Sequence, residues 1–452
     1  MTSSSMKRVV LLSGSAAVCL ALTGCLQNPN ASGGGAGGGQ GLDGFVDGGT
    51  VDGDGTVQIL GAFGGAEESA FNESLAAFQE ESGITVEYVP DTDFTTTIQQ
   101  RVGADDAPDI GLFPQPGGLL GLAQRDKIQP IDTFLDYEDL NRTLITGFLD
   151  ASQLNGRVYG APMRMAVKSL VWYPKPAYEE DGYGTSPETL EDLTAITDEI
   201  QGDGTAPWCI GWESDQATGW VGTDWIEEYM LRLHGPDVYD QWTSHEIPFN
   251  DPRVVEAFDA FGDLVKKEGY VLGGKNGVLN TPFAEAMNPA FEDSPSCYVM
   301  RQGNFATGFF PDPVQENLDE RVGVYVFPRA ADGYEGQPIL GGGDIAALFN
   351  GNDDEAIEVM RFLTSDDFGA EWASLGGWLS PHKTFDADNY PDETTRDMAQ
   401  IAADADVFRY DGSDLMPNEV GGGSFWAGMV QWMDGTKTTQ QVVDEIEASW
   451  PE

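Results

Sequence analysis

Hydrophobic and polar positions alternate over residues 56–60, and this period of two predicts a β-strand. Between residues 67 and 81 apolar side chains recur every three or four positions, which predicts an α-helix that Gly83 ends. Alternation returns at residues 84–89 and predicts a second strand, which Pro90 terminates. Because strand, helix and strand follow one another within about thirty residues, we expect a βαβ unit with parallel strands.

A third strand is predicted at residues 109–112, and it runs into a loop at 113–118, as the first strand runs into residues 61–67. Open α/β sheets bind ligands beyond the carboxyl ends of their strands. Glu67 also begins a helix, where a carboxylate favours the macrodipole in any case. From these loops we predict ligand contacts for Phe63, Glu67, Gln115 and Pro116.

The rest of the chain alternates extended and helical patterns without an internal repeat. Helices are predicted after caps at 186–187 and 250–252 and over 353–363, with strands at 164–173, 297–300, 321–327 and 339–349. Beyond residue 381 the pattern is mainly helical, with a predicted interruption at 421–432.

Four of the eleven tryptophans fall within residues 207–225, where a short buried strand at 208–210 leads through a loop into a helix. Tryptophan rings pack on the polarised C–H groups of a sugar, and carboxylates accept hydrogen bonds from its hydroxyls. The alternative is that these rings belong to the core, where large aromatic side chains are common. We predict ligand contacts for Trp212, Trp220, Asp224 and Trp225.

Isolated charges in apolar or glycine-rich extended segments need a partner, and Arg164 and Asp344 are such charges. A purely structural role for Asp344 remains open.

Two further tryptophans lie in glycine-rich loops, where a ring can face a cleft, and we expect Trp378 to stack on the ligand together with Trp220. The remaining predicted ligand contacts are Arg164, Asn304, Asp344, Trp378 and Trp426.

The amino terminus has the pattern of an export signal. Lys7 and Arg8 precede an apolar stretch at 9–22, which ends in Leu-Thr-Gly-Cys and looks like a bacterial lipoprotein box. We predict a signal peptide at 1–24, lipidation at Cys25 and a Gly/Asp-rich tether over 25–55, with a plain secretory peptide as the alternative. The protein would then sit on the extracellular face of the membrane, on a Gram-positive exterior or in a periplasm, held by its lipid only.

The net charge and the cysteine content narrow the possible classes of protein further. The formal net charge of −52 excludes general nucleic-acid binding, which needs a basic surface. After export Cys209 and Cys297 remain, and an even pair in an exported protein predicts a disulfide, with two buried free thiols as the alternative. No metal site is predicted, since neither cysteine has a neighbour at ligand spacing.

Several motifs, taken in order, resemble the extracellular solute-binding proteins of bacterial ABC transporters, in particular the maltose-binding-protein-like group that binds carbohydrates. The segment 208–225 together with 247–252 is similar to its α-glucoside-binding members. The resemblance covers the chain after about residue 55, and the motifs that carry it lie at residues 107–117, 170–175, 187–193, 341–345 and 376–381.

The resemblance implies an α/β, two-lobed periplasmic-binding-protein-like fold of type II, each lobe a mixed sheet flanked by helices, with the ligand cleft between lobes. Lobe 1 would comprise 56–162 and 342–375, and lobe 2 would comprise 163–341 and 376–452, with hinges at 162–165 and 341–344. It further implies a monomer without cofactor that captures a sugar, such as an α-glucoside oligosaccharide, and delivers it to the membrane permease of an ABC importer.

The main alternative is a secreted glycoside hydrolase or another carbohydrate-active surface lipoprotein, because carboxylates and tryptophans also build such sites. The sequence contains no HExxH pair and no Walker loop, and Ser424 lies in Gly-Gly-Ser-Phe-Trp, which is not a nucleophile elbow. We therefore predict that the protein is not an enzyme.

Overall fold

A computed structural model describes residues 55–91 and 93–451. The predicted signal peptide, the lipidation site Cys25 and nearly all of the tether lie outside these residues. Within the described ranges, no helix has both the length and the apolar character needed to cross a bilayer.

The strands are short, and most lie between helices. In chain order they are β1 (Thr56–Gly61), β2 (Thr85–Pro90), β3 (Ile110–Phe113), β4 (Gln153–Leu154), β5 (Arg157–Val158), β6 (Ala161–Pro162), β7 (Ala166–Val167), β8 (Leu170–Pro174), β9 (Ala206–Trp208), β10 (Cys297–Arg301), β11 (Val322–Val326), β12 (Pro338–Gly342), β13 (Ile345–Leu348) and β14 (Val407–Tyr410).

The α-helices range from single turns to one kinked segment, α7, whose path breaks at Gly235 and Pro236. In order they are α1 (Ala66–Ser82), α2 (Phe94–Gly103), α3 (Pro116–Ala123), α4 (Tyr137–Thr143), α5 (Lys175–Glu180), α6 (Leu190–Gly202), α7 (Trp220–Thr243), α8 (Pro252–Val265), α9 (Gly274–Asn280), α10 (Asp312–Gln315), α11 (Leu318–Arg321), α12 (Asp354–Leu363), α13 (Ala370–Leu375), α14 (Glu393–Ala403), α15 (Gly412–Leu415), α16 (Trp426–Asp434) and α17 (Thr439–Ala448).

The first sheet has the strand order β2-β1-β3-β13-β6. Strand β1 is parallel to both β2 and β3, which confirms the predicted βαβ unit. Strand β13 runs antiparallel to β3 and β6, so the sheet is mixed and takes its fourth strand from far along the chain. Loops 61–65 and 114–115 therefore leave the same edge of this sheet.

A second sheet has the order β11-β8-β10-β9, and a third has the order β14-β12-β7. Cys297 begins β10, and its sulfur is bonded to that of Cys209, which follows β9. The bond confirms the predicted disulfide and excludes the alternative of two free thiols.

Three of the local predictions are wrong. Helix α6 is capped by Thr189, which exchanges hydrogen bonds with Asp192 in a capping box, and does not begin at 186–187. Strand β9 (Ala206–Trp208) ends at the residue where the predicted strand, 208–210, begins. Residues 421–432 do not interrupt the helical region, because a π-helix (Glu419–Phe425) leads directly into α16. A side chain at Gly421 would meet the carbonyl oxygen of Ser413, so this glycine permits close packing of the two backbones.

Candidate functional site

Arg164 joins three segments at the edge of the first sheet. Its guanidinium forms ion pairs with Glu67 in the first turn of α1 and with Asp344, which lies between β12 and β13. The same group lies 4.8 Å from the ring centre of Phe63 and 5.3 Å from that of Trp372, within the range of cation–π attraction. The prediction that Arg164 and Asp344 need partners is confirmed, since they pair with each other.

The two predicted hinge segments lie side by side here. The Met163 amide donates to the Asp344 carbonyl at 2.9 Å. Gly343 has a φ of +144°, and a side chain there would meet the Arg164 carbonyl oxygen at 2.1 Å, so only glycine fits. Burial disfavours the charge of Arg164, but Asp344 and Glu67 outweigh it and raise the pKa of the guanidinium. The ion pairs thus hold the two segments together.

We expect Asp344→Asn to lower the free energy of unfolding by roughly 1–3 kcal/mol, because it leaves part of a largely buried guanidinium without its anion. Glu67→Gln serves as the control, since half of that carboxylate is exposed and its loss should cost below about 1 kcal/mol. Urea unfolding of both variants measures the difference, and equal losses would contradict it.

A second cluster forms around Lys168, which lies between β7 and β8. Its ammonium nitrogen is 3.0 Å from Asp224 on α7 and also pairs with Asp411, which follows β14. The same nitrogen lies 5.2 Å from the ring centre of Trp220. Lys168 and Asp411 are not among the predicted residues, although Lys168 is a lone cation in an apolar extended segment, the signal that identified Arg164.

The Lys168 cluster contains more acidic side chains than basic ones. Burial raises the pKa of Asp224 to about 8, and burial together with Asp411 raises the pKa of Glu227. Burial alone would raise the pKa of Asp411, but the Lys168 ammonium outweighs it and holds that pKa below its usual range. In turn Asp224 and Asp411 outweigh the burial of Lys168 and raise its pKa. The cluster therefore keeps Lys168 charged.

The loop after β3 meets the segment after β14. The Tyr410 hydroxyl, at the end of β14, donates to the carbonyl of Gly343 and lies 3.5 Å from the carbonyl oxygen of Pro114. A side chain at Gly117 would lie 2.6 Å from the Met416 carbonyl oxygen, so the two backbones are in close contact. Two groups of predicted residues result: Gln115, Pro116, Trp220 and Asp224 around the Lys168 cluster, and Phe63, Glu67, Arg164 and Asp344 around Arg164.

The other predicted residues lie apart from these groups. Trp212, Trp225 and Trp378 are each at most 1% exposed. Trp212 and Trp225 stack on Phe261, whereas Trp378 packs over Gly369. The prediction that its loop leaves Trp378 facing a cleft is wrong, because the missing side chain at Gly369 makes room for the ring in the core.

The last two predicted residues have structural contacts of their own. Asn304 is buried and accepts the Val167 amide at 2.8 Å, so its side chain oxygen is committed to backbone. Trp426 is half-buried, and its carbonyl lies where a side chain at Gly219 would be, 2.3 Å away. Of the predicted aromatic platform, Trp220 is therefore the ring best placed beside polar groups.

Comparison with known proteins identifies the class. The pattern that defines the bacterial extracellular solute-binding protein family matches residues 64–370. The chain is 42% identical to the osmoprotective compounds-binding protein GgtB of Synechocystis sp. over 395 residues, which cover 87% of this chain and 92% of that protein. It is 34% identical to the alpha-glucosides-binding periplasmic protein AglE of Rhizobium meliloti over 403 residues, 87% of each.

A solved structure of maltose-bound MalE3 from T. maritima resembles this fold with a TM-score of 0.65 at 18% identity, covering 87% of this chain and 98% of that one. The fold is therefore the α/β type II periplasmic-binding-protein fold, as predicted. The chain belongs to the bacterial extracellular solute-binding protein family. It is the extracellular or periplasmic binding component of an ABC transporter, and the matched proteins are binding proteins that give the hydrolase alternative no support.

Proposed function

We propose that the protein captures a small α-glucoside outside the membrane and delivers it to the permease of an ABC importer. The observation that carries this proposal is the pair of relatives, one named for osmoprotective compounds and the other for α-glucosides. Neutral disaccharides such as trehalose and sucrose belong to both chemical classes. The proposed ligand is therefore a polyhydroxylated, uncharged solute with an α-linked glucose unit.

The geometry around Trp220 suits such a ligand. The indole nitrogen donates to the Ser214 hydroxyl at 3.0 Å, and the edge of Phe283 packs at 5.1 Å, so the half-buried ring is held in place. Gln115 and Asp414 are only partly buried and offer further polar atoms. A sugar on the Trp220 ring would have an aromatic face for its C–H groups, and these polar atoms would serve its hydroxyls.

The architecture of this proposal has two lobes that close on the ligand, with 56–162 and 342–375 in one and 163–341 and 376–452 in the other. In its support, the first sheet draws its strands from the former ranges and the second sheet from the latter. The crossing segments 162–165 and 341–344 would act as hinges. Lipidation at Cys25 and a monomeric state complete the proposal.

We expect Trp220→Ala to weaken binding of trehalose or maltose by roughly 1–3 kcal/mol, because the sugar loses its aromatic face. Trp378→Ala is the matched control, with the same deletion in the core. It should cost roughly 3–5 kcal/mol of stability and leave the affinity of the folded protein unchanged. Titration calorimetry with melting curves separates the two effects. If Trp220→Ala binds normally and Trp378→Ala binds weakly, the assignment of the two rings is reversed.

A further inference from the structure

Three buried carboxylates from distant parts of the chain converge beside Lys168. Asp224 and Glu227 lie one turn apart on α7, and Asp411 reaches them from the end of β14. One oxygen from each lies within 4.8 Å of the others, and all three residues are at most 2% exposed. We propose that these three carboxylates bind a calcium ion.

Within the described residues, two of the three carboxylates each have one oxygen without a partner, whereas both oxygens of Asp411 are already hydrogen-bonded, one to Lys168 and the other to Ser413. Lys168 takes one oxygen of Asp224, and the Ser413 amide donates to one oxygen of Glu227 at 2.9 Å. The second oxygens, Asp224 Oδ2 and Glu227 Oε2, are buried and have no hydrogen-bond partner in the described part of the chain. Buried acceptors without a donor are costly, and one cation in contact with both would remove that cost.

The buried setting favours calcium over magnesium. Magnesium dehydrates reluctantly and usually keeps several waters, whereas calcium accepts an irregular site built from protein oxygens.

The neighbouring donors also fit. The hydroxyl of Ser413 lies 2.7 Å from Asp411 Oδ1 and 3.2 Å from the hydroxyl of Thr223, so the surroundings supply further oxygens. A donor set of oxygen alone, without histidine or thiolate, is that of a hard cation. Because the Lys168 ammonium repels a second cation, we expect affinity in the range of extracellular calcium modules, about 0.1–1 mM.

The test is titration calorimetry of the full mature protein, freed of metal with EDTA and dialysed. About 0.15 M NaCl screens the acidic surface. CaCl2 should give a one-to-one isotherm, with MgCl2 at least about tenfold weaker, and about 10 mM CaCl2 should raise the melting temperature by about 2–5 °C. No saturable calcium isotherm, or one that magnesium reproduces, overturns the proposal, and neither result depends on a variant.

Two matched variants locate the ion. Glu227→Gln should weaken calcium binding at least about tenfold, because a neutral amide replaces one charged ligand. Glu80→Gln makes the same change at an exposed position of α1 and should bind calcium like the wild type. Unchanged binding by Glu227→Gln overturns the assignment. Solute binding is measured separately in EDTA, so loss of one activity is distinguishable from loss of the other.

Discussion

Glu228→Gln is expected to lower the free energy of unfolding by roughly 3–5 kcal/mol, the cost of breaking a buried ion pair from one side. Glu228 is fully buried on α7, and its two oxygens pair with Arg232 and Arg301, each at 2.7 Å. One of them also accepts the Ser169 hydroxyl at 2.8 Å. The variant would leave two buried guanidinium groups with no carboxylate between them.

The pH dependence of this contribution follows from the same contacts. Burial alone would raise the pKa of Glu228, but Arg232 and Arg301 outweigh it and hold the pKa below its ordinary value. A depressed carboxyl pKa stabilises the fold above the unfolded pKa of about 4.3, and this stability is lost as the pH falls through the folded value. Urea unfolding at neutral pH tests the variant against Glu80→Gln, and equal midpoints for the two would refute the prediction.

Removing the disulfide should have an effect of similar size. Cys209 and Cys297 are 88 residues apart, and in the chain-entropy model closing such a loop stabilises the folded state by roughly 4–5 kcal/mol. Both cysteines are buried. The double variant Cys209→Ala with Cys297→Ala should therefore unfold at a markedly lower urea concentration than the wild type.

The same loss should occur in the unaltered protein on reduction, so unfolding with and without dithiothreitol is the matched measurement. In the double variant the reductant should have no effect. A wild-type midpoint that does not move with reductant would show that the bond contributes little to stability.

Local pattern was sufficient to predict the first part of the fold. The alternation over β1 and β2 and the helical period of α1 depend on which face each side chain shows to the sheet, and this is set by neighbours in sequence. The approach of β13 to β3 is different, since it joins residues far apart in the chain. Only the resemblance to a known family predicted that part of the architecture.

The tryptophans show a property that local sequence pattern does not predict. A glycine-rich loop predicts exposure for Trp378, yet the glycine at 369 leaves space for the ring in the core. Trp225 lies on α7 like Trp220, but it packs against Trp208 and Phe261, whereas Trp220 contacts Lys168. Burial of a large ring is decided by tertiary neighbours that local sequence does not specify.

The charged residues were easier to identify than their partners. An isolated charge in an apolar segment implies a counter-charge, and this argument correctly identified Arg164 and Asp344. Applied to Lys168 it would have found the second cluster as well. It could not have named Asp411, because β14 lies beside β12, and β12 beside β7, only in the folded chain.

The central claim is that the solute is an α-glucoside, and direct titration of the mature protein with trehalose, sucrose and maltose tests it. Cellobiose, which is β-linked, and glycine betaine, a zwitterionic osmoprotectant, are the matched controls. We expect at least one α-glucoside to bind one-to-one, tighter than about 0.1 mM, with both controls at least about tenfold weaker. Binding of glycine betaine with no binding of any α-glucoside would contradict the account.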